Sequence, residues 1–334
     1  MTNSVDAISP AARPVPSEKE QWMIWTYQVK KTFGPTLALS ELNLSIAPGE
    51  LFGLVGPDGA GKTTTLRLLA SLLTPSSGEI LVAGLDTRRE GERVKEKIGY
   101  LPQRFGLYED LTVEENLLFM AQLYQVRGTA GRRKMEELLR FTGLLPFKRR
   151  LAGYLSGGMK QKLALAANLL PDPPILLLDE PTTGVDPLSR RELWHILYSL
   201  HQKGKTIVLA TPYMDEAERC NRVAFLYQGR VLLAGRPEEL KATIDHPLEV
   251  LARPVALARE RLEKSPEVKE VFQYGETLHV FFQPAQTIAA AAVGRWLDEK
   301  GIRASKAQYV PPSLEDVFLV RLGKVGKGEN RSKT

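Results

Sequence analysis

The residues Gly56-Pro57-Asp58-Gly59-Ala60-Gly61-Lys62-Thr63-Thr64 fit the spacing G-x-x-x-x-G-K-[ST], a loop whose backbone N–H groups cradle phosphates. Three glycines let the backbone approach an anion with no Cβ in the way. A helix opening at the end of the loop would aim its free N–H groups and positive dipole end at the same anion. Lys62 supplies a mobile charge for the β- and γ-phosphates, and the Thr63 hydroxyl is placed to ligate Mg²⁺. An apolar run, Leu51 to Val55, leads in, and a helix-like pattern of Leu66, Leu68, Leu69, Leu72 and Leu73 leads out. That strand–loop–helix context separates the motif from an ordinary Gly-rich turn and predicts a nucleoside-triphosphate site.

Two further stretches carry chemistry. Ile175-Leu176-Leu177-Leu178-Asp179-Glu180 puts two carboxylates at the end of an apolar strand. In open α/β sheets ligands bind at the carboxyl ends of strands. Asp179 can hold the magnesium shell, and Glu180 can polarise a water for in-line attack on the γ-phosphate. In Leu155-Ser156-Gly157-Gly158-Met159-Lys160-Gln161-Lys162, Ser156 reads as an N-cap with two glycines keeping the helix start bare, and a helix is expected through Leu169. Alone this is as well explained by a helix start with a tight turn; beside a phosphate loop it makes a second anion-facing surface.

The elements that must hold these residues alternate between strand and helix from Met23 to about Arg236. Strands are expected at Glu79–Ala83, Ile175–Leu178 and Thr206–Ala210, a helix at Val113–Gln125, and a hairpin from Val223 to Leu233 turning at Gln228-Gly229. The apolar runs do not alternate with polar residues, as in parallel strands covered on both faces. Beyond Leu240 to His246 the expected order is strand (Leu248–Ala252), helix (Val255–Lys264), two strands (Val268–Phe272, Leu278–Phe282), helix (Thr287–Lys300) and strand (Arg303–Tyr309), closed by a short helix (Ser313–Leu322). That βαββαβ order is ferredoxin-like. The expected division is a flexible leader over 1–21, an ATPase domain over 22–240, a small α+β domain over 241–323 and a disordered basic tail over 324–334.

The 334 residues suit one large and one small domain, and 43% hydrophobic with 25% charged residues is a globular composition. No apolar run approaches the roughly 20 residues that span a bilayer. A membrane role must then run through a partner. The single cysteine, Cys220, allows no internal disulfide, and no Cys/His cluster has the spacing of a zinc site. The net charge of +6 is gathered in Lys148-Arg149-Arg150 and the end of the chain and reads as solvated surface rather than a nucleic-acid face.

The order and spacing of the phosphate loop, Gln103, Leu155-Ser156-Gly157-Gly158, Asp179-Glu180 and Gly184-Val185-Asp186-Pro187 resemble the ATP-binding cassette (ABC) transporter ATPases over roughly residues 23 to 240. Gln103 to Thr112, Tyr213 to Arg219 and Pro312-Ser313-Leu314-Glu315-Asp316-Val317-Phe318 make the chain most similar to the drug-exporter branch typified by daunorubicin-resistance ATPases. The resemblance implies a RecA-like core with an antiparallel β-subdomain and a helical subdomain. It implies ATP and Mg²⁺, hydrolysis with Glu180, Lys62 and Gln103 as catalytic residues, and magnesium held by Thr63, Gln103 and Asp179. Phe33 matches the aromatic residue stacked on adenine, its plainer reading being a core residue, and Gly56, Pro57, Gly59, Ala60, Gly61, Lys62, Thr63 and Thr64 match the ATP-binding loop. Ser156, Gly157, Gly158 and Asp186 would touch ATP in trans, across a head-to-tail homodimer or heterodimer of ATPase subunits. The partner implied is a transmembrane permease docking around Gln103, Phe105 and Tyr108, with no nucleic acid, membrane contact only through that partner, and a peripheral place at the cytoplasmic face of the cell membrane.

Two positions depart from the family pattern. Pro212 stands where a histidine usually touches the γ-phosphate, and proline offers no donor, although it suits the first turn of a helix capped by Thr211. Losing one preorganised donor can cost on the order of 100-fold in rate. Asp58 stands where asparagine is usual and would be repelled by phosphate unless it faces away. The competing expectations are therefore an exporter ATPase, a slow or non-hydrolysing dimerisation switch, and a soluble cassette protein acting on ribosomes or DNA. The third is disfavoured by a single cassette and the lack of an extended basic face.

Overall fold

The computed structural model describes residues 21–104, 106–283 and 288–331. The expected leader, except its last residue, and Phe105 of the expected docking area lie outside the described residues, as does Thr287, the expected start of a helix. The chain divides into two compact units that part between Ala234 and Gly235.

In the larger unit β1 (Ile24–Phe33) and β2 (Thr36–Ile46) pair antiparallel. Next come β3 (Leu51–Val55), α1 (Lys62–Leu69), β4 (Ser77–Val82), β5 (Leu85–Asp86), α2 (Gly91–Lys95) and β6 (Ile98–Leu101). Three helices follow, α3 (Val113–Leu123), α4 (Gly128–Phe141) and α5 (Gly157–Asn168). The unit closes with β7 (Ile175–Asp179), α6 (Pro187–Gln202), β8 (Thr206–Thr211), α7 (Met214–Ala217), β9 (Arg222–Tyr227) and β10 (Arg230–Gly235).

One sheet of this unit has the order β10-β9-β3-β8-β7-β6, with the neighbours from β9 through β6 parallel. Strands β3, β7 and β8 are buried along their whole length, which is why their sequences run apolar without alternation. In register, Val55 faces Thr211 and Asp179 faces Ala210. The exits of β3, β8 and β7 therefore share one edge, where the phosphate loop, Pro212 and Glu180 meet. The second sheet, β2-β1-β4-β5, is antiparallel. Its apolar face (Ile24, Val29, Leu42, Ile46, Ile80) joins Phe52, Leu66, Leu177, Val208 and Leu226 in one core. Helix α3 opens on a capping box: Glu115 N–H donates to Thr112 Oγ1, and Thr112 N–H donates back to Glu115 Oε2 at 2.8 Å. This is the RecA-like core with β-subdomain and helices that the motif order implies.

The smaller unit contains α8 (Pro237–Lys241), β11 (Leu248–Arg253), α9 (Val255–Glu263), β12 (Val268–Tyr274), β13 (Thr277–Phe282), α10 (Ala290–Glu299), β14 (Arg303–Tyr309) and α11 (Leu314–Arg331). Its sheet has the order β12-β13-β11-β14, antiparallel throughout, which is the ferredoxin-like arrangement. Leu248, Val250, Leu278, Val280 and Leu297 form its core. Asp316, fully buried, accepts from Tyr274 Oη and His279 Nδ1, each at 2.8 Å, and from Ser313 N–H and Oγ. The Pro312–Phe318 motif is thus a helix start bolted to β12 and β13.

Three local expectations need correction. Helix α1 stops at Leu69, before Leu72 and Leu73, because the chain turns through Ser71 at φ +54°, and Leu72 is exposed. Helix α7 begins at Met214 with no side-chain cap, so Pro212 lies before the helix and Thr211 does not cap it. The Thr211 hydroxyl instead takes Tyr213 N–H and donates to Glu216. Helix α11 runs past Leu322 to Arg331, into the stretch expected to be a disordered tail. Adding a residue to an existing helix is far easier than nucleating one, so the helix carries on although Gly323, Gly326 and Gly328 are poor helix formers.

Candidate functional site

The loop between β3 and α1 is shaped by its glycines. Gly61 sits at φ +106°, and a Cβ there would stand 2.6 Å from Leu39 Cδ2; a Cβ on Gly56 would stand 2.2 Å from the Leu226 carbonyl oxygen. No other residue fits either place. The loop is closed by Ala60 N–H donating to Pro57 O at 3.2 Å. Above it opens a cavity of about 480 Å³ walled by Gly59, Gly61, Lys62, Thr63 and Thr64, with Gln103 and Glu180 opposite. That volume is in the range that takes a cofactor-sized ligand.

Lys62 is buried, and its ammonium donates to Gly56 O at 2.8 Å and Pro57 O at 3.1 Å while pairing with Glu180 Oε1 at 3.1 Å. Glu180 also accepts from Gln103 Nε2 at 2.9 Å and from the Thr183 hydroxyl at 3.3 Å. Its backbone sits at φ +50°, a left-handed conformation that costs a side-chain-bearing residue about 1–2 kcal/mol. The Glu180 N–H bond to Ala210 O, 2.9 Å long, helps to hold it there.

Asp179 accepts from Thr63 Oγ1 at 3.0 Å and more weakly from Tyr100 Oη at 3.4 Å. Burial, with Glu180 beside it, outweighs those bonds and raises its carboxyl above the ordinary value. An anion in that state calls for a cation. Hard oxygen donors, one carboxylate and one hydroxyl at the mouth of a phosphate loop, fit Mg²⁺, which takes few protein ligands and shares the rest with phosphate. Among the described residues no cluster of three or more His, Cys, Asp or Glu could hold a metal by itself.

The expected residues fall into two groups. Gly59, Gly61, Lys62, Thr63, Thr64, Gln103 and Glu180 line the cavity, while Gly56 and Pro57 hold Lys62 and Asp179 holds Thr63 just behind them. Ser156, Gly157, Gly158 and Asp186 do not line it and gather elsewhere. Ser156 Oγ caps α5 by accepting Met159 N–H at 3.3 Å, and a Cβ on Gly157 would lie 3.4 Å from Gly184 O. The Asp186 carboxylate caps α6, accepting Leu188 N–H at 3.1 Å and Ser189 N–H at 3.0 Å, and those backbone and side-chain bonds lower its pKa. Phe33 is 46% exposed, which removes its reading as a core residue. It carries the Lys31 ammonium 4.9 Å from its ring centroid and does not line the cavity.

Asp58 does not turn away. It lines the cavity, and its carboxylate lies 3.9 Å from Lys62 Nζ with the side chain 95% exposed. Sequence reasoning missed Thr36, Leu37 and Ala38, which form the third wall; they come from β2 across the core, with no local signal. It also missed Tyr100 beside Asp179, three residues before Gln103.

The model of the family described as ABC transporter matches residues 39–183. The chain is 41% identical over 296 residues, 88% of its length, to the probable multidrug ABC transporter ATP-binding protein YbhF of Escherichia coli (strain K12), and spans half the length of that relative. It is 38% identical over 300 residues to the Nod factor export ATP-binding protein I of Burkholderia pseudomallei (strain K96243), covering 89% of this chain and 96% of that one. Among solved structures it is similar to a dimeric ATP-binding cassette in a post-hydrolysis state bound to ADP and Pi, with TM-score 0.59 and 31% identity over 64% of this chain and 98% of that one. A second, an ATP-binding subunit of an ABC transporter, gives TM-score 0.61 at 29% identity over 66% of this chain and 92% of that one.

Proposed function

Because the chain belongs to the ABC transporter family of ATP-binding proteins, we propose that it is the ATP-hydrolysing subunit of an exporter whose membrane-spanning part is a separate permease. The observation that carries this is the cavity at the phosphate loop, where Lys62, Gln103 and Glu180 converge and Thr63 meets Asp179 just beside it. Among the described residues no helix is long and apolar enough to cross a membrane, which is compatible with a peripheral subunit at the cytoplasmic face.

Lys62 now spends its charge on Glu180 and two loop carbonyls. When ATP enters, its phosphates present more acceptors, and the ammonium turns to the β- and γ-oxygens while the loop N–H groups take the rest. Glu180 is then free to orient a water, kept in place by Gln103, Thr183 and its own left-handed backbone. Thr63, Asp179 and Gln103 would hold magnesium, which when bound neutralises charge developing on the phosphate oxygens. The bare start of α5 with its Ser156 cap lies outside the cavity of its own chain, and in our reading it would serve the ATP of a second ATPase subunit. Exposed Tyr108 and Phe119, rings 5.0 Å apart edge to face, support permease docking on that surface. We take residues 22–240 as the ATPase domain and 241–323 as a small accessory domain.

The test is phosphate release from Mg-ATP by the purified protein and its Glu180→Gln variant. Release that falls at least about 100-fold in the variant, with ATP still bound, is the expected result. ATP binding with no release from the natural sequence would replace hydrolysis by the switch reading that Pro212 invites.

A further inference from the structure

Glu216 is a buried, fully bonded carboxylate near the phosphate loop that this mechanism leaves unused. It is fully buried. Oε1 accepts from Thr182 Oγ1 at 2.7 Å, Arg190 Nε at 2.9 Å and Trp194 Nε1 at 3.3 Å, while Oε2 accepts from Thr211 Oγ1 at 2.6 Å. Its charge is matched by Arg190, which also holds Asp215 through one guanidinium nitrogen. A buried carboxylate is tolerable only with such partners.

The partners lie where the site is assembled. Thr182 is two residues beyond Glu180, in the turn whose Thr183 bonds the Glu180 carboxylate. Thr211 ends β8 just before Pro212, and its carbonyl accepts the N–H of Gly56, the first residue of the phosphate loop, at 3.4 Å. Ala210, one residue earlier, accepts Glu180 N–H. Arg190 and Trp194 stand on α6, the helix that Asp186 caps. One carboxylate thus joins the turn bearing Glu180, the strand end that braces the phosphate loop, and the helix behind the 184–189 segment.

We infer that Glu216 is a positioning residue for turnover, fixing Glu180 and the phosphate loop relative to each other through Thr182 and Thr211. The inference rests on the proposed hydrolysis for its kinetic readout but not for its structural one. With Pro212 bringing no donor to this corner, the alignment of Glu180 rests the more on this clamp. Sub-ångström misplacement of a water-orienting carboxylate slows chemistry without weakening ground-state binding.

Thr182→Val removes one arm at nearly constant volume, Thr182→Ser restores the hydroxyl, and Glu216→Gln discharges the hub. Expected for Thr182→Val and Glu216→Gln is a kcat loss of about 10- to 100-fold with the Kd for Mg-ATP unchanged, and recovery in Thr182→Ser. Hydrogen exchange, followed by mass spectrometry without nucleotide, should quicken about tenfold across residues 180–185 while β7 stays protected. Unchanged exchange in both Thr182→Val and Glu216→Gln, or a lower kcat joined by a raised Kd with no rescue by Ser, overturns the inference. Faster exchange in a protein that binds ATP but never turns it over leaves the clamp standing and removes the hydrolysis reading instead.

Discussion

Asp179 in the nucleotide-binding unit and Asp316 in the smaller unit are both withdrawn from water, 1% and 0% exposed, yet their carboxyls move in opposite directions. For both, the largest influence is burial, which disfavours the charged form. At Asp179 it prevails, because one firm hydroxyl bond and one long one are all that oppose it. At Asp316 the bonds from His279, Ser313 and Tyr274 overcome burial and leave the carboxyl below its ordinary value. A buried anion left short of partners marks a place prepared for a ligand. One whose lone pairs are all used marks a joint between elements.

The largest effect should come from cutting the joint. Asp316→Ala strands His279, Tyr274 and the Ser313 N–H and should destabilise the smaller unit by about 3 kcal/mol. Urea unfolding followed by the fluorine NMR signal of Trp296 in fluorotryptophan-labelled protein, the residue that packs on that unit's core, measures it; a loss under about 1 kcal/mol breaks the contrast. Asp179→Asn should do the reverse, raising stability by up to about 1 kcal/mol while ATP affinity loses its dependence on magnesium in calorimetric titration.

Acidification sharpens the contrast with the natural sequence. A raised carboxyl keeps its proton to higher pH, so magnesium-dependent nucleotide affinity should start to fade while the pH is still above the ordinary aspartate value of 3.8. Asp316, being depressed, lends stability that is complete above that value and is lost only as the pH falls through its lower folded-state pKa. Titration of Mg-ATP binding beside the Trp296 signal gives the order of the two events. The smallest effect belongs to a third acid, Asp58, which lies in solvent at the cavity. Asp58→Asn should tighten ATP binding only a few-fold, most visibly at low salt, since water and ions screen an exposed charge.

The joint and the site were unequally legible in the sequence. The phosphate loop could be read because its backbone shape demands Gly56 and Gly61 at fixed spacing, and the βαββαβ order because each of its elements is local in period. Pro312 to Phe318 could be singled out, but not the bolt it makes, since Tyr274 and His279 come from other strands. The same holds for Glu216, whose partners span Thr182 to Thr211, and for Thr36 to Ala38 facing the loop from β2. Alternation and spacing report what neighbours in sequence do, and these features are made by segments that meet only after the sheet is stacked. The end of α1 was missed for a local reason, as Leu72 and Leu73 continue the helical apolar count although the chain has already turned at Ser71.

The hairpin between β9 and β10 bears on how fast a nucleotide can come and go. Its turn, Gln228-Gly229, takes positive φ at both residues, and Gly229 donates to Ala60 O at 3.1 Å and accepts Ser40 N–H at 2.7 Å. The underside of the phosphate loop therefore leans on a rigid shelf whether or not anything lies on top. A phosphate loop braced from below in this way has less to order when a triphosphate arrives.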